Sequence, residues 1–186
     1  LIKELSKVNN NLVVVYIGSS AINMKEWNDL APSILFSWYG GMEGGNAISK
    51  VLYGDYNPSG KLPFSIAKNE NDYPYFNPYT MKTEYGYYHG YTLFDKKNIE
   101  PLYPFGYGLS YTSFKLKDLK VSTPKIKKTD TLSFSINIKN IGEIEGEEVI
   151  QLYVGFSNSS LDRPVKLLRG FNKVFLKPGE NKNINF

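Results

Sequence analysis

The residues best suited by type and spacing to do chemistry lie in 39-YGGMEGG-45. Glu43 is a carboxylate in a glycine-rich loop after an apolar, strand-like run. Ligand crevices of parallel α/β sheets open at the carboxyl ends of their strands, so Glu43 would face such a cleft. The competing reading makes Glu43 a first-turn helix carboxylate favoured by the helix macrodipole. The loop superficially resembles a phosphate cradle, but it lacks both the Gly-Lys-Ser/Thr ending and the GxGxxG spacing, which argues against nucleotide binding. His89 is the single histidine. A His cluster for a metal and a Ser–His–Asp triad with a spare His are therefore ruled out, and no Gly-x-Ser-x-Gly elbow occurs. His89 sits among tyrosines and reads as a packed connector residue rather than a proton shuttle. Asp55 reads as the cap of a turn. The absence of cysteine removes disulfides, thiolate metal sites and a Cys nucleophile.

The elements that must position these residues fall into two grammars. The first alternates strand and helix. Residues 12–17 (LVVVYI) form a continuous β-branched run, as expected of a parallel strand buried on both faces. A short helix is expected around 24–30, then a second strand over 34–38 that ends at Trp38. Ala47, Ile48, Val51 and Leu52 recur at helical spacing, with Gly54 as the C-terminal cap. Residues 57–60 (NPSG) read as a turn. Residues 61–66 (KLPFSI) read as a strand, placed at an edge by Pro63. The alternation implies a parallel α/β sheet. Residues 67–112 are irregular and aromatic, and the remainder is all-β. Leu132, Phe134, Ile136 and Ile138 alternate with polar residues, as in a half-buried antiparallel strand. Further strands are expected over 148–156, within 165–175 (one or two), and at 183–186. Pro178-Gly179 fits the centre of a type II turn. That makes five or six strands after Phe114, where a sandwich usually has about seven.

Composition narrows the function classes. Hydrophobic residues make up 41% and charged residues 22%, an ordinary globular balance. The net charge of +4 comes from 20 scattered Lys and only Arg163 and Arg169, without the clustered basic face that nucleic acid requires. No run of 18 apolar residues is present. The opening LIKELSKVNN reads as the last turns of an amphipathic helix, with Ile2, Leu5 and Val8 on one stripe, and predicts further sequence upstream.

The stretch 101-PLYPFGYGLSYTSF-114 is too rich in Gly and Pro for a helix and too aromatic for a solvated linker. Together with 54-GDYNPSGKLP-63, 34-ILFSWYGGMEGGNAISKVLYG-54 and 142-GEIEGEEVIQLYV-154, it resembles the glycoside hydrolase family 3 β-glucosidases and β-xylosidases. The resemblance covers nearly the whole chain, with its diagnostic motifs in the right order. It implies that residues 1–66 are the C-terminal part of an α/β sandwich, 67–112 an aromatic connector, and 113–186 a truncated fibronectin type III-like domain. On that layout 101–114 is a latch. Phe105, Tyr107 and Tyr111 would pack it down, and Gly106 and Gly108 would permit positive φ or close backbone approach.

Retaining glycosidases use two carboxylates about 5–5.5 Å apart. The resemblance puts the nucleophile Asp on a barrel and the acid/base Glu on an upstream loop, and no carboxylate here matches either position. No catalytic residue is therefore assigned, and the chain alone is expected to be inactive. The candidates for substrate contact are Trp38, Tyr39 and Glu43, since a sugar ring could stack on either aromatic; buried packing is the competing reading. The tyrosines of 85–91 fit a sugar-binding rim and a packed connector equally. Asn158 begins the sequon Asn158-Ser159-Ser160, a candidate for glycosylation.

The resemblance implies a β-glucosidase acting on terminal non-reducing β-D-glucosyl residues, with no cofactor and no metal. The implied partners are an oligosaccharide or glucoside substrate and the N-terminal barrel of the same chain. The family's compartments are extracellular, periplasmic or lysosomal. The alternatives are a β-xylosidase of the same family and a non-catalytic carbohydrate-binding or interaction module.

Overall fold

The computed structural model describes residues 1–127 and 129–186, which fall into two units. One comprises Leu1–Asp55 and Leu62–Tyr107, the other Tyr56–Lys61 and Gly108–Phe186.

In the first unit the β-branched run becomes β1 (Val13–Tyr16), which pairs in parallel with β2 (Ser33–Phe36) in the register Val13↔Ser33 to Tyr16↔Phe36. The helix α1 (Ile2–Leu5) precedes them. Val13 is exposed and Val14 to Tyr16 are half-buried, so β1 is less covered than its apolar run predicts. Among the described residues its sheet has two strands, so each strand lies at an edge. The helix expected at 24–30 is replaced by turns and a 3-10 segment, Asn28–Leu30. Asn23 Oδ1 accepts the Lys25 N–H at 3.1 Å, the side-chain competition by which Asn disfavours helix.

The helix α2 (Gly44–Leu52) forms where the spacing requires it, and Gly54 follows its end with φ +85°. Residues 61–66 form no ladder. Leu62 instead makes two backbone hydrogen bonds, with Gly106 and Tyr107, and Ile66 makes three, with Leu102 and Tyr103; Ile66 and Tyr103 form one antiparallel bridge. Pro63 has no N–H to continue the pairing. Within the aromatic stretch a helix forms that the sequence reading lacked, α3 (Tyr91–Lys97). It starts after Gly90 at φ +52° and closes on Asn98 in the left-handed region, and Thr92 and Phe94 are its buried residues.

The second unit holds two antiparallel sheets. β3 (Phe114–Val121), β4 (Phe134–Asn140) and β7 (Asn181–Asn185) form one in the order β3-β4-β7. β5 (Gly146–Val154) and β6 (Leu167–Leu176) form the other. The five strands match the lower expected number among the described residues. Ile138, Ile150, Val174, Leu176 and Ile184 make the core, with Phe114, Ile136 and Phe186 packed against it. The alternation in β4 is what directs Ile136 and Ile138 to one face. The expected turn at Pro178-Gly179 forms, with Glu180 N–H on the Lys177 carbonyl at 3.0 Å and Gly179 at φ +75°.

Candidate functional site

Among the sequence-predicted residues, Trp38, Tyr39 and Glu43 lie beyond the carboxyl end of β2. Trp38 adopts φ +56°, two residues past the strand, and is half-buried. Its ring packs 4.9 Å from Phe36 and 5.5 Å from Phe64, while Phe36 contacts Tyr16 at 4.5 Å. Four aromatics thus brace the ends of the two strands. Tyr39 is 72% exposed and stands outside that cluster. Glu43 is exposed at the N-cap position of α2, where its carboxylate accepts from the Asn46 amide and makes no cap to the backbone. The loop therefore offers one exposed phenol, one exposed carboxylate and one braced indole.

His89 is exposed rather than packed. Its backbone is tied to Thr92, whose Oγ1 accepts the His89 N–H at 3.2 Å and donates to the His89 carbonyl at 2.7 Å. Tyr85 and Tyr87 are 59% and 66% exposed. Tyr88 lies under Lys96, with 4.9 Å from Nζ to the ring centre. Tyr91 packs at 5.0 Å on Phe105. The tyrosine segment thus divides between surface and packing. Asn158 is exposed, with φ +60°. Among the described residues no group of three His, Asp or Glu could hold a metal ion, and no helix is long and apolar enough to cross a membrane.

The aromatic motif 101–114 splits between the two units. In the first, the Tyr103 hydroxyl donates to Asn28 Oδ1 at 2.7 Å, and its ring lies 5.0 Å from Tyr107. Burial raises the Tyr103 pKa above the ordinary phenol value. Ser65 Oγ accepts the Phe105 N–H at 3.2 Å. Gly106 uses positive φ, +79°. In the second, a Cβ on Gly108 would lie 2.1 Å from the Gly60 carbonyl oxygen, so close approach is what requires glycine there. Tyr111 is 48% exposed and meets the unit through its backbone N–H on Asn57.

Sequence reasoning passed over the polar network of the second unit. Asn57 Oδ1 accepts from Ser110 Oγ at 2.9 Å and from the Tyr111 N–H at 2.8 Å, while its amide donates to the Glu145 carbonyl at 3.0 Å. Buried Asn140 accepts from Thr112 Oγ1 at 2.7 Å and donates to the carbonyls of Ile144 and Leu176 at 2.8 and 3.1 Å. Glu147 is held by Lys173 at 2.7 Å and by Ser59 at 3.1 Å. Lys61 Nζ sits 2.7 Å from Glu148 and donates to the Gly108 carbonyl at 2.6 Å. Lys173 beside Glu147 holds its carboxyl below the ordinary range. The available signal was the run 56–61 (YNPSGK), dense in side chains that bond backbone, which reads locally only as a turn.

The sequence profile of the Glycosyl hydrolase family 3 C-terminal domain matches residues 1–111. This chain belongs to glycosyl hydrolase family 3. A fibronectin type III-like domain profile matches residues 148–186 of the family 3 chain. It is 41% identical over 192 residues to the thermostable beta-glucosidase B of Acetivibrio thermocellus, covering 100% of this chain and 25% of that protein. A periplasmic beta-glucosidase of Salmonella typhimurium is also 41% identical, with the same coverage. The crystal structure of beta-D-glucoside glucohydrolase from Trichoderma reesei superposes with a TM-score of 0.91 at 32% identity, covering 100% of this chain and 29% of that one. A beta-glucosidase from Kluyveromyces marxianus, solved in complex with glucose, gives 0.85 at 39% identity, covering 100% and 22%. The family 3 chain thus spans about a quarter of the length of the curated relatives it matches.

Proposed function

We propose that the chain serves as the C-terminal part of a retaining exo-β-glucosidase that releases terminal β-D-glucosyl residues from non-reducing ends. The observation that carries this reading is the 41% identity, over the whole chain, to proteins named β-glucosidases. On this reading residues 1–66 complete an α/β sandwich, 67–112 connect, and 113–186 form the type III-like domain. The nucleophile and the acid/base carboxylates lie outside these 186 residues, so the chain alone is inactive.

The local chemistry is compatible with a supporting role. Glu147 and Glu148 are tied to Lys173 and Lys61, as structural carboxylates are, rather than poised for proton transfer. Exposed Tyr39 and Glu43 beyond β2 offer a stacking face and a hydrogen-bond acceptor at the side of a parallel sheet where ligands gather. Braced Trp38 holds that loop in place.

The test is hydrolysis of p-nitrophenyl β-D-glucoside and β-D-xyloside by the natural full-length chain and by residues 1–186 alone. Glucoside preferred by the full-length chain, with no turnover by the 186 residues, is the expected result. Xyloside preferred would make the protein a β-xylosidase. Turnover by the 186 residues would place a catalytic pair within them and overturn this reading.

A further inference from the structure

The connection from β5 to β6 carries a cleft for which the reading above has no use. Its volume is about 540 Å³ and it is lined by residues 155–157, 159 and 161–165. That volume falls within the range of small-molecule sites, roughly 300–1,000 Å³. We propose that this cleft is a surface subsite for a neutral oligosaccharide of the β-glucan type. The choice of sugar rests on the glycosidase reading; the site itself rests on the cleft.

Two features support it. Phe156 is 56% exposed and its ring is held by the Arg163 guanidinium, 4.5 Å from the ring centre, so an aromatic face is presented in a fixed orientation. Aromatic faces of this kind stack on the C–H faces of pyranose rings. Asp162 and Arg163 line it together, which lowers the attraction for a dense anion and suits a polyol that both accepts and donates.

The cleft is also preformed. At its base a Cβ on Gly155 would lie 2.5 Å from the Val165 carbonyl oxygen, so the two ends of the loop are in close contact. Pro164 is buried, which fixes the backbone beside Arg163. A site that is rigid before binding loses less entropy on binding.

The test is native gel electrophoresis of the natural full-length chain through gels containing soluble mixed-linkage β-glucan, alongside hydrolysis of p-nitrophenyl β-D-glucoside. The wild type should be retarded. Phe156→Ala and Arg163→Gln should each weaken the affinity read from retardation by about tenfold or more. Phe156→Tyr should keep it, and glucoside hydrolysis should stay within about twofold throughout. Should Phe156→Ala fail to fold, Phe156→Leu keeps the bulk without the aromatic face and should lose retardation equally. No retardation of the wild type, or retardation that survives both substitutions, overturns the subsite. Retardation only by a carboxymethylated glucan identifies anion binding and overturns it too. Absence of hydrolysis with glucan binding intact would remove the glycosidase reading and leave the subsite standing.

Discussion

Asn57 accepts a hydrogen bond from Ser110 Oγ at 2.9 Å across 53 residues of sequence. This pair joins the two diagnostic motifs within one unit. Residues 56–61 are flanked on both sides by the first unit yet belong to the second, and Asn57 supplies three of the bonds that hold them there. The run is a strap on the β-sandwich, not only a turn.

Replacing Asn57 by Ala removes all three bonds. At about 0.5–1.5 kcal/mol net for each, and with Asn57 half-buried, the expected loss is roughly 2–3 kcal/mol. Urea unfolding followed by tryptophan and tyrosine fluorescence should show a lower midpoint with an unchanged slope. Asn57→Asp keeps the acceptor for Ser110 and Tyr111 but turns a carboxylate oxygen toward the Glu145 carbonyl, so it should still destabilise.

The two glycines of the aromatic motif should respond differently to the same change. Gly106→Ala meets the left-handed φ penalty, roughly 1–2 kcal/mol. Gly108→Ala drives a Cβ into the Gly60 carbonyl, and the strap backbone must move, at a cost on the order of 3 kcal/mol or more. Thermal unfolding of both variants checks the order. Equal losses would mean that the close approach at Gly108 relaxes without cost.

Asn140 is fully buried and bonds three segments, so Asn140→Leu should destabilise by roughly 3 kcal/mol or more. Thr112→Val removes one hydroxyl from the same network and should cost about 1 kcal/mol. In a double-mutant cycle the combined loss should fall short of the sum, since the second change finds the Thr112–Asn140 bond already gone.

Glu147 makes stability depend on pH. Its folded pKa is depressed, first by the hydrogen bond from Lys173, against the opposing effect of desolvation and with further help from Ser59 and Tyr56. A depressed carboxylate contributes stability that is present above its unfolded pKa, near 4.5, and lost as pH falls through the lower folded value. Glu147→Gln should therefore unfold more easily than wild type at neutral pH, and the two curves should converge below the ordinary carboxylate range. Glu180, held down by the Lys177 backbone N–H and by Lys182, should add a similar slope. Unfolding midpoints measured from pH 7 down to the acid limit decide this. A constant gap between variant and wild type would remove the role of Glu147.

By itself the sequence determined the family and the elements whose periodicity is plain. The β-branched run of β1, the helical spacing of Ala47 to Leu52 and the alternation through Ile136 and Ile138 are local patterns, and the backbone periods of helix and strand read them directly. Pro178-Gly179 and Gly54 followed from φ alone. What only the tertiary structure decided depends on partners distant in the chain. Residues 61–66 look like a strand, yet Pro63 has no N–H to give and the pairing with residues 102–107 stops at one isolated bridge. Asn57, Asn140 and Glu147 look like ordinary turn and surface residues until Ser110, Thr112 and Lys173 are brought beside them. Arg163 and Phe156 are seven residues apart, and their stacking arises only when the β5–β6 loop closes at Gly155 and Val165. Local periodicity fixes the elements; long-range approach of backbone and side chains fixes the network and the cleft.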